Sequence, residues 1–449
     1  MIPAAAATNS FYQVLFALLA GILVIVILTT KFRLHPFFAL LIASLVTGLG
    51  INLSLPEVVT FMKEGFGNIM KSLGFIIVLG TALGVVLEKN GSTTVMANYI
   101  LKKIGNKFPA LAMSITGFVV GLPVFCDSGF IVLSGLNSSL AKRTGTRVVV
   151  MAVSMATGLY SVHCLITPHP GVSSAAALIG ASYGKLIIAG IVIAIPAMII
   201  GYLYAVYAGS KYPLPEREEN IITEQQKELP STLQAFLPVI IPVLLIAIRA
   251  FITIDLSGAK TWLQAIGILG DPIISLSAGI VLALTANGLS DKKQVNQWLQ
   301  EAAEKAGGIL VIIGAGGSFG AILGASHVGV HLSEALPLAS MGILFPFLLT
   351  AMLKTAQGSS TVAIITAASI IQPLLPVLGF ATPDGKLLCV LAMGAGSMMV
   401  SHANDAYFWV IAKFEKIDMP TMLKVYSVAT VLMGLVTLLM VYILSLVLL

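Results

Sequence analysis

Four short polar clusters interrupt an otherwise apolar sequence, and they hold most of the residues that could do chemistry. The first carries Gly121, Pro123, Cys126, Asp127, Ser128 and Gly129. The second runs from Gly158 to Ser174 and includes Ser161, His163, Thr167, Pro168, His169 and Pro170. In the third, Lys354 and Thr355 precede Gln357, Gly358, Ser359, Ser360 and Thr361. The fourth runs from Gly394 to Asp405 and includes Ser397, Ser401, His402 and Asn404. Within an apolar segment, such runs break a helix and expose backbone N–H and C=O groups. At membrane depth that is tolerated only around a polar cavity. A half-helix N-terminus points several N–H groups at one spot and attracts a carboxylate. Serine and threonine hydroxyls can hydrogen-bond a polyol, and small residues let a ligand approach the backbone. The clusters therefore suit a small hydroxylated anion. The expected contacts are Ser128, Gly129, Ser161, Thr167, Gly358, Ser359, Ser360, Thr361, Ser401 and Asn404.

Proton chemistry falls on a second set: Asp127, His163, His402, Asp405 and Lys354. Asp127 is a lone acid between two apolar runs, and intramembrane acids are functional by default. The alternative is a hairpin-tip cap facing water. His163, His169 and His402 titrate near neutral pH, although His169, between two prolines, reads equally well as structural. Lys354 either serves the anion or the proton, or pairs with Asp405, and Asp405 either pairs or caps a half-helix. His327 and His331 are expected in an outer loop. Arg249, near the outer end of a span, is expected to snorkel to the interface. The run Gly314, Gly316, Gly317 and Gly320 is expected to serve close helix packing. Nothing resembles a phosphate-binding Gly-x-x-x-x-Gly-Lys loop, which argues against an ATP-driven pump. Cys126, Cys164 and Cys389 lie far apart in apolar sequence and are expected to be small core residues. No metal or cofactor is expected.

The elements that must position these residues follow from composition. The chain has 449 residues, of which 57% are apolar and 10% charged, and its mean hydropathy is +0.99. Soluble chains carry roughly 25% charge, so the expected class is an all-α polytopic membrane protein. Continuous apolar runs exclude a barrel, whose strands would alternate. The residues before Ser10 lack a basic region, so no cleavable leader is expected. Lys and Arg mark the cytoplasmic side. Lys102, Lys103 and Lys107 precede the segment 108–141, while Lys142, Arg143 and Arg147 follow it. That segment must enter and return, as a re-entrant hairpin opening to the cytoplasm. A second hairpin, about 341–378, opens outward. The charged stretch 211–228 reads as a cytoplasmic linker, and 291–305 as a separate polar helix before a span at 306–325. The net charge of +6 is explained by this asymmetry, without nucleic acid. Residues 1–210 and 229–449 then form two inverted repeats, each with a hairpin and a discontinuous transmembrane helix, as in secondary transporters.

Several motifs carry a family resemblance across essentially the whole chain. They are Thr167-Pro168-His169-Pro170-Gly171, Gln357-Gly358-Ser359-Ser360-Thr361-Val362, and Ser401-His402-Ala403-Asn404-Asp405 with Phe408-Trp409. The Gly270-Asp271-Pro272 turn and Arg249 add to them. Together these are similar to the gluconate permease (GntP) family of the ion-transporter superfamily. That resemblance implies proton symport of gluconate or a related sugar acid across the inner membrane into the cytoplasm. Some members carry other small hydroxy-carboxylates or D-serine, and sodium coupling stays open as an alternative. The superfamily's known folds imply a dimer-forming scaffold and an elevator-like transport domain.

Overall fold

The computed structural model describes residues 10–105, 108–213, 229–251, 267–286, 291–326, 341–403 and 405–448. His327, His331, Asn404 and the charged linker beyond Pro213 lie outside these residues. Among the described residues the regular elements are all helical. They are α1 (Phe11–Thr30), α2 (Pro36–Gly50), α3 (Leu55–Lys89), α4 (Ser92–Ile100), α5 (Pro109–Gly121), α6 (Cys126–Thr144), α7 (Val148–Leu165), α8 (Pro170–Ile179) and α9 (Tyr183–Gly209). The second half gives α10 (Thr232–Phe251), α11 (Pro272–Thr285), α12 (Lys292–Ala325), α13 (Leu344–Gln357), α14 (Ser360–Ile371), α15 (Pro383–Met398) and α16 (Ala406–Phe414). A last helix begins as α17 (Met419–Met422), passes through a π-turn, and ends as α18 (Val428–Leu448).

Local chemistry sets the boundaries. Proline occupies the first turn of α2, α3, α5, α8, α11, α15 and α17, where its missing N–H costs nothing. Asp271 caps α11 through the Ile273 N–H at 3.0 Å. Thr382 caps α15 through the Gly385 N–H at 3.0 Å. Among the described residues, six helical segments are long and apolar enough to cross a membrane, and α3, bent by 48°, makes a seventh if it is counted as one span.

Two expectations change. The polar stretch 291–305 is not a separate helix, because α12 runs unbroken for 34 residues. Likewise α3 runs for 35 residues, through Lys63, Glu64 and Lys71. Charges end an apolar window, but they do not end a helix whose backbone bonds continue. Arg249 does not merely snorkel, since its Nη1 lies 2.7 Å from Asp271 Oδ2, which ties α10 to the start of α11.

The α3 and α12 helices pack closely where glycines of each meet the backbone or side chains of the other. A Cβ on Gly65 would lie 2.3 Å from the Gly317 carbonyl oxygen, and one on Gly314 would lie 2.3 Å from the Phe66 ring. The Gly314–Gly320 run thus serves close packing, as its composition suggested. Around this pair the element order of the first half recurs in the second. A long helix (α3, α12) is followed by a helix–turn–helix (α5–α6, α13–α14) and then by a broken helix (α7–α8, α15–α16). The pieces α5, α8, α14 and α16 have 13, 10, 12 and 9 residues. At 1.5 Å per residue these reach about half of a 30 Å hydrocarbon core. None of these four pieces is long enough to cross that core alone.

Candidate functional site

A cavity of about 490 Å³ lies where the two helix–turn–helix tips meet the two broken helices. Four helices begin at its wall. The start of α6 contributes Cys126, Asp127 and Ser128, that of α8 Pro170, that of α14 Ser360, Thr361 and Val362, and that of α16 Ala406 and Tyr407. Each helix N-terminus carries roughly half a positive charge. Four of them around one space make it attractive to an anion.

The tips are held by their own caps. Gly358 closes α13 at φ +78°, a conformation open to glycine at little cost. Its N–H donates to the Lys354 carbonyl at 2.9 Å. Ser359 Oγ caps α14 by accepting from the Val362 N–H at 3.3 Å. The Lys354 ammonium, fully buried, donates to the Gly358 carbonyl at 2.9 Å and to Asp405 Oδ2 at 2.6 Å. Asp405 also accepts from Ser401 Oγ, and its Oδ1 caps α16 through the Tyr407 N–H at 3.0 Å. Asp405 thus both pairs with Lys354 and caps a half-helix. The first half has a parallel tie. His169, at the cap position of α8, sets Nε2 at 2.7 Å from the carbonyl of Gly121, the last residue of α5. In each half the residue opening the second half-helix is tied to the end of the hairpin's first helix.

Of the expected residues, Asp127, Ser128, His163, Gly358, Ser359, Ser360, Thr361 and Asp405 line the cavity. Asp127 is exposed within it, with Cys126 Sγ at 3.9 Å. The His163 ring lies nearly parallel to that of Tyr160, centroids 6.3 Å apart, and Tyr160 also stacks on Tyr407 at 5.8 Å. The other expected residues that the structure describes are not part of its lining. Ser161 donates to the Gly158 carbonyl at 2.8 Å. Gly129 is buried against Leu159. Thr167 lines a separate apolar pocket beside Pro168 and Tyr183. Lys354 and Ser401 serve Asp405. His402 turns its Nε2 to the Thr355 carbonyl at 3.0 Å.

Sequence reasoning does not single out Gln357, Lys305, Tyr160 and Tyr407, which all line the cavity. Both amide atoms of Gln357 and the Nδ1 of His163 are buried without a hydrogen-bond partner. Such atoms cost about 1–3 kcal/mol each when left unmade, and both residues belong to the cavity wall. Gln357 sits within the quoted motif and could be found there. Lys305 is hidden inside the charged stretch of α12, where it also meets Glu301 at 2.8 Å. Among the described residues, no group of three or more His, Cys, Asp and Glu is arranged to hold a metal ion.

A model of the GntP family permease matches residues 13–447. The chain belongs to the GntP permease family. It is therefore a multi-pass membrane permease and not an enzyme. An uncharacterized permease of Haemophilus influenzae is 34% identical, over 93% of this permease and 89% of the relative. A gluconate permease of Pseudomonas aeruginosa is 32% identical, over 98% and 99%. The D-serine transporter DsdX of Escherichia coli is 28% identical, over 97% and 99%. Two solved structures share the fold. The MtrF structure from Neisseria gonorrhoeae aligns with TM-score 0.61 at 17% identity, over 86% of this permease and 84% of that chain. The YdaH transporter of Alcanivorax borkumensis aligns with TM-score 0.58 at 16% identity, over 87% and 88%.

Proposed function

We propose that this permease carries gluconate or a closely related small polyhydroxy acid into the cytoplasm by proton symport. The observation that carries the reading is the convergence of four helix N-termini on one cavity that also presents hydroxyls and amides. The carboxylate would sit at the starts of α6 and α14, near Ser128, Ser360 and Thr361. The hydroxyl chain would bond Ser359, Gln357 and His163. Asp127 would carry the proton. Asp405 already has the Lys354 ammonium as counter-charge, whereas among the described residues no cation lies within ion-pair distance of Asp127. The permeases named for gluconate and for D-serine support a small acid as cargo.

In this reading residues 1–210 and 229–449 are repeats of opposite orientation, joined by the linker 211–228. The permease sits in the inner (plasma) membrane as a homodimer, and the hairpins with their broken helices move as a body against the scaffold. Labelled gluconate uptake into proteoliposomes tests the function. An inward proton gradient without sodium should drive accumulation, and a protonophore should collapse it. Glycerate, D-serine and other sugar acids as competitors rank the cargo. Uptake that needs sodium and ignores the proton gradient would overturn the coupling. No uptake of any small acid under any ion gradient would overturn the function.

A further inference from the structure

One wall of the cavity comes from neither a hairpin nor a broken helix. Lys305, Ile309 and Ile312 of α12 line it, at the three-and-four spacing that puts them on one stripe. Gly308 lies on the same stripe, with open space where a Cβ would project. Among the described residues, the charged groups of the lining are Asp127, Asp405 and Lys305. Asp405 is neutralised by Lys354 from behind, so Lys305 is the cation that faces the space. Its side chain keeps 36% of its surface exposed.

Lys305 can leave its partner without stranding a charge. Its Nζ lies 2.8 Å from Glu301 Oε1, one turn back on the same helix. Glu301 turns its other oxygen, Oε2, to Lys89 at the end of α3, at 3.0 Å. Lys89 therefore still neutralises Glu301 when Lys305 swings away. With Glu88 the cluster holds two acids and two bases. Half-exposed pairs on one helix face contribute little, so an anion in the cavity competes with Glu301 on nearly equal terms. The lysine stem is long and flexible enough for the exchange.

We propose that Lys305 is a specificity residue for the cargo: its ammonium leaves Glu301 and meets the carboxylate held at the starts of α6 and α14. This role rests on reading the cavity as the site of a small acid, whichever ion is coupled. Hydroxyls and amides on the other walls suit the polyol chain, whether the cargo is charged or not. The ammonium adds a bond in which donor and acceptor are both charged, and such bonds are the stronger kind. A neutral polyol cannot make it.

Binding of gluconate and of its neutral polyol, glucitol, to the purified protein tests this role. The ligand-dependent rise in melting temperature reads the affinity without turnover. Lys305→Met should weaken gluconate binding about ten- to a hundredfold and leave glucitol unchanged. Lys305→Gln should do the same, and it serves where the Met variant fails to fold. Lys305→Arg keeps the charge and should retain most of the preference for the acid. Glu301→Gln removes the competing partner and should bind gluconate at least as tightly as wild type. Unchanged gluconate affinity in Lys305→Met and Lys305→Gln would overturn the proposal. Equal losses in Lys305→Met and Glu301→Gln would also overturn it, because they would make the pair a structural tie. So would a loss for glucitol as large as that for gluconate. Wild-type protein that binds no small acid would overturn the proposed function and this role together, whereas wild-type binding indifferent to Lys305 would overturn this role alone.

Discussion

Removing Lys354 should damage this permease more than removing both Lys354 and Asp405. The ammonium is fully buried and makes two bonds, at 2.6 Å to Asp405 and 2.9 Å to the Gly358 carbonyl. Lys354→Met strands a buried carboxylate with only Ser401 and the Tyr407 N–H around it. Deleting one partner of a buried pair costs about 3–5 kcal/mol. Asp405→Asn strands the ammonium but keeps the α16 cap, because Asn caps as well as Asp. The double variant leaves no unpaired charge and should recover part of the loss, with a coupling of about 1–3 kcal/mol. Unfolding of purified protein in lipid–detergent mixed micelles, titrated with a denaturing detergent, reads these differences. The expected order of stability is wild type, then the double variant, then either single. Uptake should fall in the same order, since the pair holds the α13–α14 tip against α16. Single variants within about 1 kcal/mol of wild type, or a double variant equal to the sum of the singles, would refute the idea that this pair fixes the site.

Asp127→Asn should retain exchange of labelled for unlabelled substrate across proteoliposomes while losing accumulation driven by a proton gradient; accumulation at the wild-type level would remove Asp127 from the coupling. Gln357→Met forfeits two hydrogen bonds to cargo at about 1 kcal/mol each, so the KM for a polyhydroxy acid should rise roughly thirty-fold with little change in folding, as read by uptake kinetics. Glu415 is buried with Asn137 and Ser138 as partners, each at 2.8 Å, and burial, opposed by those two hydrogen bonds, raises its carboxyl above the ordinary range. An acid whose folded pKa is raised holds its proton longer in the fold, so stability should fall as pH rises from the unfolded carboxylate value through the folded one. Glu415→Gln should flatten that slope in a thermal-melt series across pH. Gly65→Ala forces a methyl to within 2.3 Å of the Gly317 carbonyl oxygen and should cost about 1–3 kcal/mol by overpacking, seen as a lower melting temperature.

The breaks in the membrane helices were legible because backbone-breaking residues cluster there. Pro168 and Pro170 sit where α7 yields to α8, and Gly358 sits where α13 yields to α14. Asp127, Ser128 and Ser359 to Thr361 were placed at the cavity for the same reason. What could not be read was which side of a half-helix each polar group faces. Ser161, Ser401 and His402 lie within a few residues of the wall, yet each spends its hydrogen bond on a backbone carbonyl or on Asp405. Spacing places a residue on a turn, while packing decides whether it turns toward the ligand or the chain. Tyr160 shows the converse. It lines the cavity and steadies His163, but an aromatic ring inside an apolar run carries no sign of that role. The pairing of Arg249 with Asp271 spans a stretch of chain that no local pattern bridges.

The ties at the two tips also set the thermal signature of binding. His169 holds the end of α5, and Lys354 with Asp405 holds the end of α13, through bonds made wholly within the chain. Where a site forms only on binding, folding of the segment buries much apolar surface and gives a large negative heat-capacity change. Here the chain's own bonds assemble the walls. Titration calorimetry at several temperatures should return an enthalpy that varies little with temperature, and affinity set by the direct contacts because little ordering opposes them.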